Sequence, residues 1–126
     1  MFNGKNIVVT GATGLLGTNL VERLSKTDAN VLAFYHTKKM DLTNKECCEI
    51  AVKGADYVIH CASVVKGAVA MQNDPTSLIA PNVIMNCHML EASYQSEVEK
   101  FVFFGSSTSY PYANYPVKEE ELFVGE

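Results

Sequence analysis

Short apolar runs alternate along this chain with longer stretches in which apolar residues recur every third or fourth position. The runs predict β-strands, and they are nearly continuous, as is typical of strands covered on both faces. They lie at Asn6–Thr10, Asn30–Tyr35, Tyr57–Cys61 and Lys100–Gly105, with a very short further strand near Met40–Leu42. The periodic stretches predict helices at Leu15–Lys26, Asn44–Val52 and Thr76–Ser96. This alternation predicts an α/β fold, in which a parallel sheet carries helices on both faces.

Three glycines, at positions 11, 14 and 17, join the first predicted strand to the first predicted helix. A strand that turns sharply into a helix leaves backbone N–H groups unpaired, and a pyrophosphate can accept their hydrogen bonds. Gly11 would allow the tight turn, and Gly14 would let the backbone approach the phosphates. Gly17 would let the helix pack close to the strand. The spacing therefore predicts the phosphate loop of a Rossmann-like doubly wound sheet. The alternative is a structural turn that binds no ligand.

Composition and charge narrow the class of protein. A chain of 126 residues fits one domain, and its net charge of −4 argues against a nucleic-acid partner. No stretch has the length that a membrane span needs, and the N-terminus lacks the features of a secretory signal. The four cysteines and three histidines follow no metal-ligand or disulfide spacing, so we expect no metal site and a cytoplasmic location. Cys61 and Cys87 lie in apolar surroundings and are expected in the core.

Four further segments follow the glycine loop in order. They are Asp41-Leu42, His60-Cys61-Ala62-Ser63, Ala80-Pro81-Asn82-Val83 and Phe103-Phe104-Gly105-Ser106-Ser107-Thr108-Ser109-Tyr110-Pro111. With Thr10–Gly17, they resemble the N-terminal half of the extended short-chain dehydrogenase/reductases, the NAD-dependent epimerase/dehydratase family. Within that family the chain resembles the GDP-L-fucose synthase type in particular. The resemblance covers nearly the whole chain.

The resemblance implies that a nicotinamide dinucleotide lies across the glycine loop. It assigns to cofactor binding Gly11, Thr13, Gly14, Leu15, Leu16, Gly17, Asp41, Leu42, Cys61, Ala62, Ser63 and Asn82. Asp41 can accept a hydrogen bond from the adenine amine while the next backbone amide serves a ring nitrogen. The alternative for Asp41 is an ordinary turn aspartate.

The end of the second predicted strand bears on the choice of dinucleotide. NAD enzymes usually place an acidic residue there for the ribose hydroxyls, and such a residue would repel a 2′-phosphate. Here no acidic residue occurs before Asp41, whereas His36 could hydrogen-bond a 2′-phosphate and Lys38 or Lys39 could pair with it. The sequence therefore favours NADP(H) over NAD(H). The alternative is that the lysines are exposed loop charges.

The resemblance also implies two catalytic residues, Ser106 and Thr108, of which Thr108 would touch the sugar and could relay protons. The family's catalytic serine precedes the tyrosine of its segment by four residues, which selects Ser106, whose hydroxyl could stabilise negative charge on a sugar oxygen. Thr108 falls where related enzymes place a residue that contacts the sugar. The family's Tyr-x-x-x-Lys pair does not follow them. Tyr35 and Lys39 have that spacing but not the helix it needs. We therefore expect residues 1–126 to be a dinucleotide-binding domain that ends before this helix, without later strands or a substrate lobe.

The resemblance implies an enzyme that transfers a hydride at C4 of a nucleoside-diphosphate hexose. Residues 1–126 would form only part of its active site. The alternative is a non-catalytic dinucleotide sensor or scaffold that keeps the fold without the chemistry. A methyltransferase would need an acidic residue at the end of the second strand, and the Gly-Lys-Ser/Thr of a P-loop is absent. The resemblance further implies a homodimer formed through the long helix at residues 76–96, with Met85 and Met89 expected in the core.

Overall fold

The structure, a computed structural model, describes residues 2–74, 76–106 and 109–122. The strands are β1 (Asn6–Thr10), β2 (Asn30–Phe34), β3 (Tyr57–His60) and β4 (Lys100–Phe103). The helices are α1 (Leu15–Leu24), α2 (Lys45–Val52), α3 (Ala68–Asn73) and α4 (Thr76–Gln95), followed by a 3₁₀ turn at Glu119–Glu121.

The four strands form one parallel sheet in the order β2-β1-β3-β4. Because β1 is central, the chain adds strands outward on both sides of it, as in a doubly wound sheet. The predicted Rossmann-like α/β fold is thus confirmed. The direction of winding reverses between β1 and β3, and such a switch point opens a crevice for ligands at the carboxyl ends of the strands.

Two apolar layers cover the sheet. One layer, between the sheet and helices α2 and α4, includes Val8, Val58 and Met89, all fully buried. The other lies beneath α1 and is built on Ile7, Val9 and Leu24. Met85 also belongs to the first layer, so the prediction of both methionines in the core is confirmed. Each strand alternates its side chains between the two layers, as its twofold period requires.

Three sequence predictions are corrected. Met40–Leu42 is not a strand, because Met40 forms only an isolated antiparallel bridge with Thr37. Helix α3 was not predicted, since its six residues are too few to establish a helical period. Cys87 is exposed on α4 rather than buried.

The expectation that every strand is covered on both faces holds for the interior strand β1 but fails at the sheet edges. β1 is buried from Ile7 to Thr10, whereas β2 and β4 consist of exposed and half-buried residues only. Val102 and Phe103 leave β4 an apolar edge. Such an edge favours association with another strand. No helix of the described residues combines the length and apolar character needed to cross a membrane.

Candidate functional site

A cavity of about 730 Å³ lies at the switch point, lined by segments that follow β1, β2 and β3 and by the first turns of α4. The sequence-assigned residues that line it are Gly11, Thr13, Gly14, His36, Asp41, Leu42, Cys61, Ala62 and Ser63. The remaining described residues of that assignment do not line it: Leu15, Leu16, Gly17, Lys38, Lys39, Asn82 and Ser106. The glycine loop, the Asp41 turn and the segment after β3 are thus brought to one place.

Gly11 and Gly17 are required by the packing of the backbone itself. Gly11 adopts φ +63°, and a Cβ there would lie 2.7 Å from the backbone N of Ala62. A Cβ on Gly17 would overlap the carbonyl oxygen of Gly11 and lie 2.7 Å from its carbonyl carbon. Both distances are shorter than any relaxed contact. These two glycines therefore bring the loop against the segment after β3 and bring α1 against the loop.

Gly14 has a different environment, open towards the cavity. Its φ of −78° suits any residue, and a Cβ would meet only the carbonyl oxygen of Gly11, at 3.2 Å. Gly14 is the N-cap of α1, no side chain caps this helix, and its first turn carries no acidic residue. The N–H groups of that turn and the helix dipole favour an anion. The loop therefore fits a pyrophosphate, and Gly14 leaves room for its approach.

Asp41 holds a turn and also lines the cavity. Its Oδ1 accepts hydrogen bonds from the backbone N–H of Thr43 at 2.9 Å and from the Thr43 hydroxyl at 2.8 Å. These two bonds lower the pKa of Asp41, so the carboxylate stays ionised at neutral pH. An ionised acceptor beside Leu42 suits the amine of a purine base.

The turn after β2 separates His36 from the two lysines. Thr37 and Met40 exchange backbone hydrogen bonds of 3.2 and 3.1 Å, and the Thr37 hydroxyl accepts from the Met40 N–H at 3.0 Å. Lys38 and Lys39 therefore lie at the exposed tip of a tight turn, outside the cavity lining. The segment containing Tyr35 and Lys39 is this turn, so the pair lacks the helix that the catalytic spacing requires.

Asn82 connects α4 to the segment after β3 instead of facing the cavity. Its amide nitrogen donates to the carbonyl oxygens of Val64 at 2.9 Å and Leu78 at 2.8 Å. Its Oδ1 accepts from the Val64 N–H at 2.9 Å and the Ser63 hydroxyl at 3.2 Å. Since the amide offers two donors and one oxygen with two lone pairs, all its capacity is used. Asn82 thus holds the wall that Ser63 forms.

Leu15 and Leu16 are exposed and do not line the cavity, with Leu15 85% exposed. Burial raises the pKa of the Cys61 thiol, so this lining residue stays protonated. Ser106 is exposed, three positions beyond the end of β4, and its carbonyl oxygen accepts from the Ser109 N–H at 3.0 Å. It shares the carboxyl edge of the sheet with the cavity. Thr108 lies outside the described residues.

Several cavity residues were not found from the sequence. They are Phe34, Tyr35, Met40, Thr43, Val64, Lys66, Ser77, Pro81 and Met85. Lys66 is the most informative, since it adds a cation to a cleft suited to phosphates. A lone lysine in a loop carries no spacing signal. Its place beside the cavity depends on the path of residues 61–67, which only the fold specifies.

Comparisons with known proteins agree with this arrangement. The NAD dependent epimerase/dehydratase family matches residues 7–124. The chain is 36% identical over 128 residues to the GDP-L-fucose synthase of Sinorhizobium fredii, covering 99% of this chain and 40% of that protein. It is 28% identical over 123 residues to the GDP-L-colitose synthase of Yersinia pseudotuberculosis, covering 95% and 40%. The chain thus spans about 40% of the length of these curated relatives.

Solved structures give the same picture. The GDP-mannoheptose C4 reductase from Campylobacter jejuni with NADP bound superposes with a TM-score of 0.83 at 31% identity, over 100% of this chain and 41% of that one. The GDP-L-fucose synthetase from Naegleria fowleri bound to NADP gives a TM-score of 0.80 at 29% identity, over 99% and 39%. With the family match over residues 7–124, the glycine loop and the switch-point cavity, the chain belongs to the NAD dependent epimerase/dehydratase family.

Proposed function

We propose that residues 1–126 are the nicotinamide-dinucleotide-binding part of a nucleotide-sugar epimerase/reductase that acts at C4 of a nucleoside-diphosphate hexose. The observation that carries the proposal is the uncapped N-terminus of α1, where Gly14 leaves open space towards the cavity. The similarity to GDP-sugar synthases and C4 reductases supports the class of substrate. In this proposal the Tyr-x-x-x-Lys pair of the family lies beyond these residues.

The chain's own residues would have three tasks, while the dinucleotide, when bound, supplies or accepts the hydride. The first turn of α1 would bind the pyrophosphate through backbone N–H groups. Asp41 and Leu42 would accommodate the adenine. Ser106, at the same edge of the sheet, would donate a hydrogen bond to the sugar oxygen and stabilise charge that develops there.

The first test is direct binding. We expect the intact chain to bind NADPH, measured by the cofactor's own fluorescence and by calorimetry. A Gly14→Val variant should lose about tenfold or more of that affinity, because its side chain would occupy the space beside the helix start. The matched control is Lys53→Val, a substitution at an exposed position at the end of α2. Lys53 does not line the cavity. Binding that survives unchanged in Gly14→Val would contradict a pyrophosphate at this loop.

We also propose NADP(H) as the preferred dinucleotide. His36 lines the cavity at the end of β2, and no acidic residue precedes Asp41 there. Two relatives have NADP bound in their structures. His36 is the nearer candidate for the 2′-phosphate, since Lys38 and Lys39 lie at the turn tip.

Changing His36 to Asp should weaken NADPH binding about tenfold and change NADH binding little, because the carboxylate repels a 2′-phosphate. The double change of Lys38 and Lys39 to Glu should weaken NADPH binding only about two- to threefold, since exposed charges act weakly through solvent. Dissociation constants for both dinucleotides should be measured for each variant. Equal losses for NADPH and NADH in His36→Asp would remove the phosphate-contact role.

The alternative, a dinucleotide sensor without chemistry, makes a different prediction about turnover. The complete gene product should oxidise NADPH in the presence of a GDP-4-keto-6-deoxyhexose if the leading proposal is right. Binding of NADPH without turnover of any keto-sugar would favour the sensor. A cytoplasmic location belongs to the proposal and is supported by the four unpaired cysteines, which are typical of a reducing compartment.

A homodimer through α4 is also proposed. Ile79, Val83, Cys87, Leu90 and Tyr94 are all exposed, and their spacing of three or four residues places them along one stripe of the helix. Met89 and Ala92, on the opposite side, are buried. This second apolar face supports contact with a second copy of the chain.

A charge on this stripe should therefore shift the protein towards a monomer. Leu90→Glu should raise the dimer dissociation constant at least about tenfold, because a carboxylate would be buried without a partner. Sedimentation measures the change, and oxidative cross-linking through Cys87 should be lost with it. Ile50→Glu, a like change at an exposed position of α2, is the control. A wild-type protein that stays monomeric at high concentration would rule out the α4 dimer.

A further inference from the structure

Three polar side chains, from β1, β3 and α4, form a continuous series of hydrogen bonds behind the cavity. The N–H of Ala62 donates to the Thr10 hydroxyl at 3.2 Å, and that hydroxyl lies 2.7 Å from Nδ1 of His60. The Nε2 of His60 lies 3.0 Å from Oδ1 of Asn86. Thr10 and His60 are fully buried. This series of hydrogen bonds joins β1, the segment after β3 and α4.

The chemistry of the partners decides where the protons are. An amide N–H only donates, so the Thr10 oxygen accepts from Ala62 and has its own proton left for His60. The Asn86 oxygen only accepts, so Nε2 of His60 carries a proton. A neutral His60, with Nδ1 accepting from Thr10 and Nε2 donating to Asn86, satisfies both contacts and uses the Thr10 proton. A second proton on Nδ1 would turn the Thr10 hydroxyl from donor into acceptor in this bond, so the hydroxyl would lose His60 as the acceptor for its own proton.

The hydrogen-bonded chain holds one wall of the cavity in place. The Ala62 nitrogen that donates to Thr10 is also the atom 2.7 Å from where a Gly11 Cβ would stand. Asn86 is one helical turn after Asn82, which binds Ser63 and Val64. Helix α4 thus binds the wall directly through Asn82 and, one turn later, binds His60 at the end of β3 through Asn86. Moving the wall away from Gly11 would break the Ala62–Thr10 bond and the bonds between Asn82 and the wall.

We propose that His60 is a positioning residue for dinucleotide binding. As the neutral Nε2–H form it joins Thr10 to Asn86 and keeps Ala62 and Ser63 against the glycine loop. Protonation of His60 to the charged form releases that wall and weakens binding of the dinucleotide. This inference rests on the proposed function, since it takes the cavity as the dinucleotide site.

The surroundings of His60 favour the neutral form. Its ring stacks on Phe103, with ring centres 6.3 Å apart, and contacts Phe101 at 5.9 Å. The groups that contact His60 are Thr10 of β1, Phe101 and Phe103 of β4, and Asn86 of α4. None of these four groups carries a charge. Burial lowers the pKa of His60 below its ordinary 6.5, against a smaller opposing effect of the Asn86 hydrogen bond. Affinity should therefore hold above pH 6.5 and fall as the pH drops through this lowered pKa.

Asn86→Asp is the decisive variant, because it keeps the shape and places a carboxylate against the Nε2–H. That carboxylate stabilises the charged ring, so the midpoint of the pH dependence of NADPH affinity should rise by about one pH unit. Thr10→Val removes the bond to Nδ1 and should weaken NADPH binding about tenfold at pH 8. His88→Gln, a change of another α4 histidine, should leave both the midpoint and the affinity unchanged.

The measurements are NADPH binding by calorimetry between pH 5 and 8 and imidazole nitrogen shifts by NMR on the intact chain. A raised midpoint in Asn86→Asp, with Nε2 protonated in the wild type at pH 8, supports the proposal. If Asn86→Asp still binds NADPH but its midpoint is unchanged, the positioning role of His60 is overturned and the proposed function is not. A wild-type chain whose spectrum is that of a folded protein, but which binds no dinucleotide at any pH, overturns the proposed function itself and the role of His60 with it.

Discussion

Replacing Gly17 with alanine should lower the free energy of unfolding by about 2 kcal/mol, although alanine is the better helix former. The added Cβ would overlap the Gly11 carbonyl oxygen and press on the Cα of Ala12 at 2.8 Å. Overpacking a closed site costs about 1–3 kcal/mol and sometimes more, and here both sides of the clash are backbone and cannot rotate away. Alanine regains only about 1 kcal/mol of helix propensity. The clash therefore exceeds the gain.

Denaturant unfolding of the two single variants Gly17→Ala and Gly14→Ala provides the comparison. Both substitutions add one methyl group within the same loop, but the Gly14 Cβ has only one neighbour, at 3.2 Å. We expect Gly14→Ala to lower the free energy of unfolding by no more than about 1 kcal/mol, which is the cost of alanine relative to glycine at a helix N-cap. A stabilised Gly17→Ala, or equal losses in both variants, would show that α1 can move away from the loop at little cost.

The sequence predicted the structural roles of Gly11 and Gly17 well because both glycines answer a local requirement. The turn at Gly11 and the approach of α1 at Gly17 involve atoms fewer than ten residues apart, so spacing alone indicates them. The contact of Gly11 with Ala62 joins residues 51 positions apart and was not predicted. The strands were also located well, although three of them end one or two residues early, because apolar runs continue past the last ladder hydrogen bond into Tyr35, Cys61 and Gly105.

What the sequence missed depends on the order of the strands and the paths of the loops. Exposure of β2 and β4 follows from their edge positions, and an apolar run does not reveal its place in a sheet. Lys38 and Lys39 were grouped with His36 by proximity, but the Thr37–Met40 turn separates their environments. Asn82 was assigned to the cofactor, and only coordinates show that its hydrogen-bonding capacity is used on the chain itself. The roles of such polar side chains can therefore be distinguished only once their positions in the structure are known.

On the proposed function, replacing Ser106 with alanine in the complete gene product should lower kcat about 100-fold and leave the NADPH dissociation constant unchanged. Ser106 follows β4 at the carboxyl edge of the sheet but is not among the residues that line the cavity. Removing its hydroxyl should therefore spare the dinucleotide. A hydroxyl that donates to an oxygen on which charge develops contributes about 10²–10³ in kcat, because the bond strengthens in the transition state.

Turnover of a GDP-4-keto-6-deoxyhexose with NADPH measures the effect, and two neighbouring serines serve as controls. Ser109→Ala should retain full activity, since the observed bond between the two residues uses the backbone N–H of Ser109. Ser107→Ala tests the register, because the spacing of four residues before Tyr110 selects Ser106 over Ser107. A loss of activity confined to Ser107→Ala would move the catalytic assignment by one residue. A weaker NADPH complex in Ser106→Ala, with kcat unchanged, would instead make Ser106 a cofactor contact and leave the sugar oxygen without a donor from this strand.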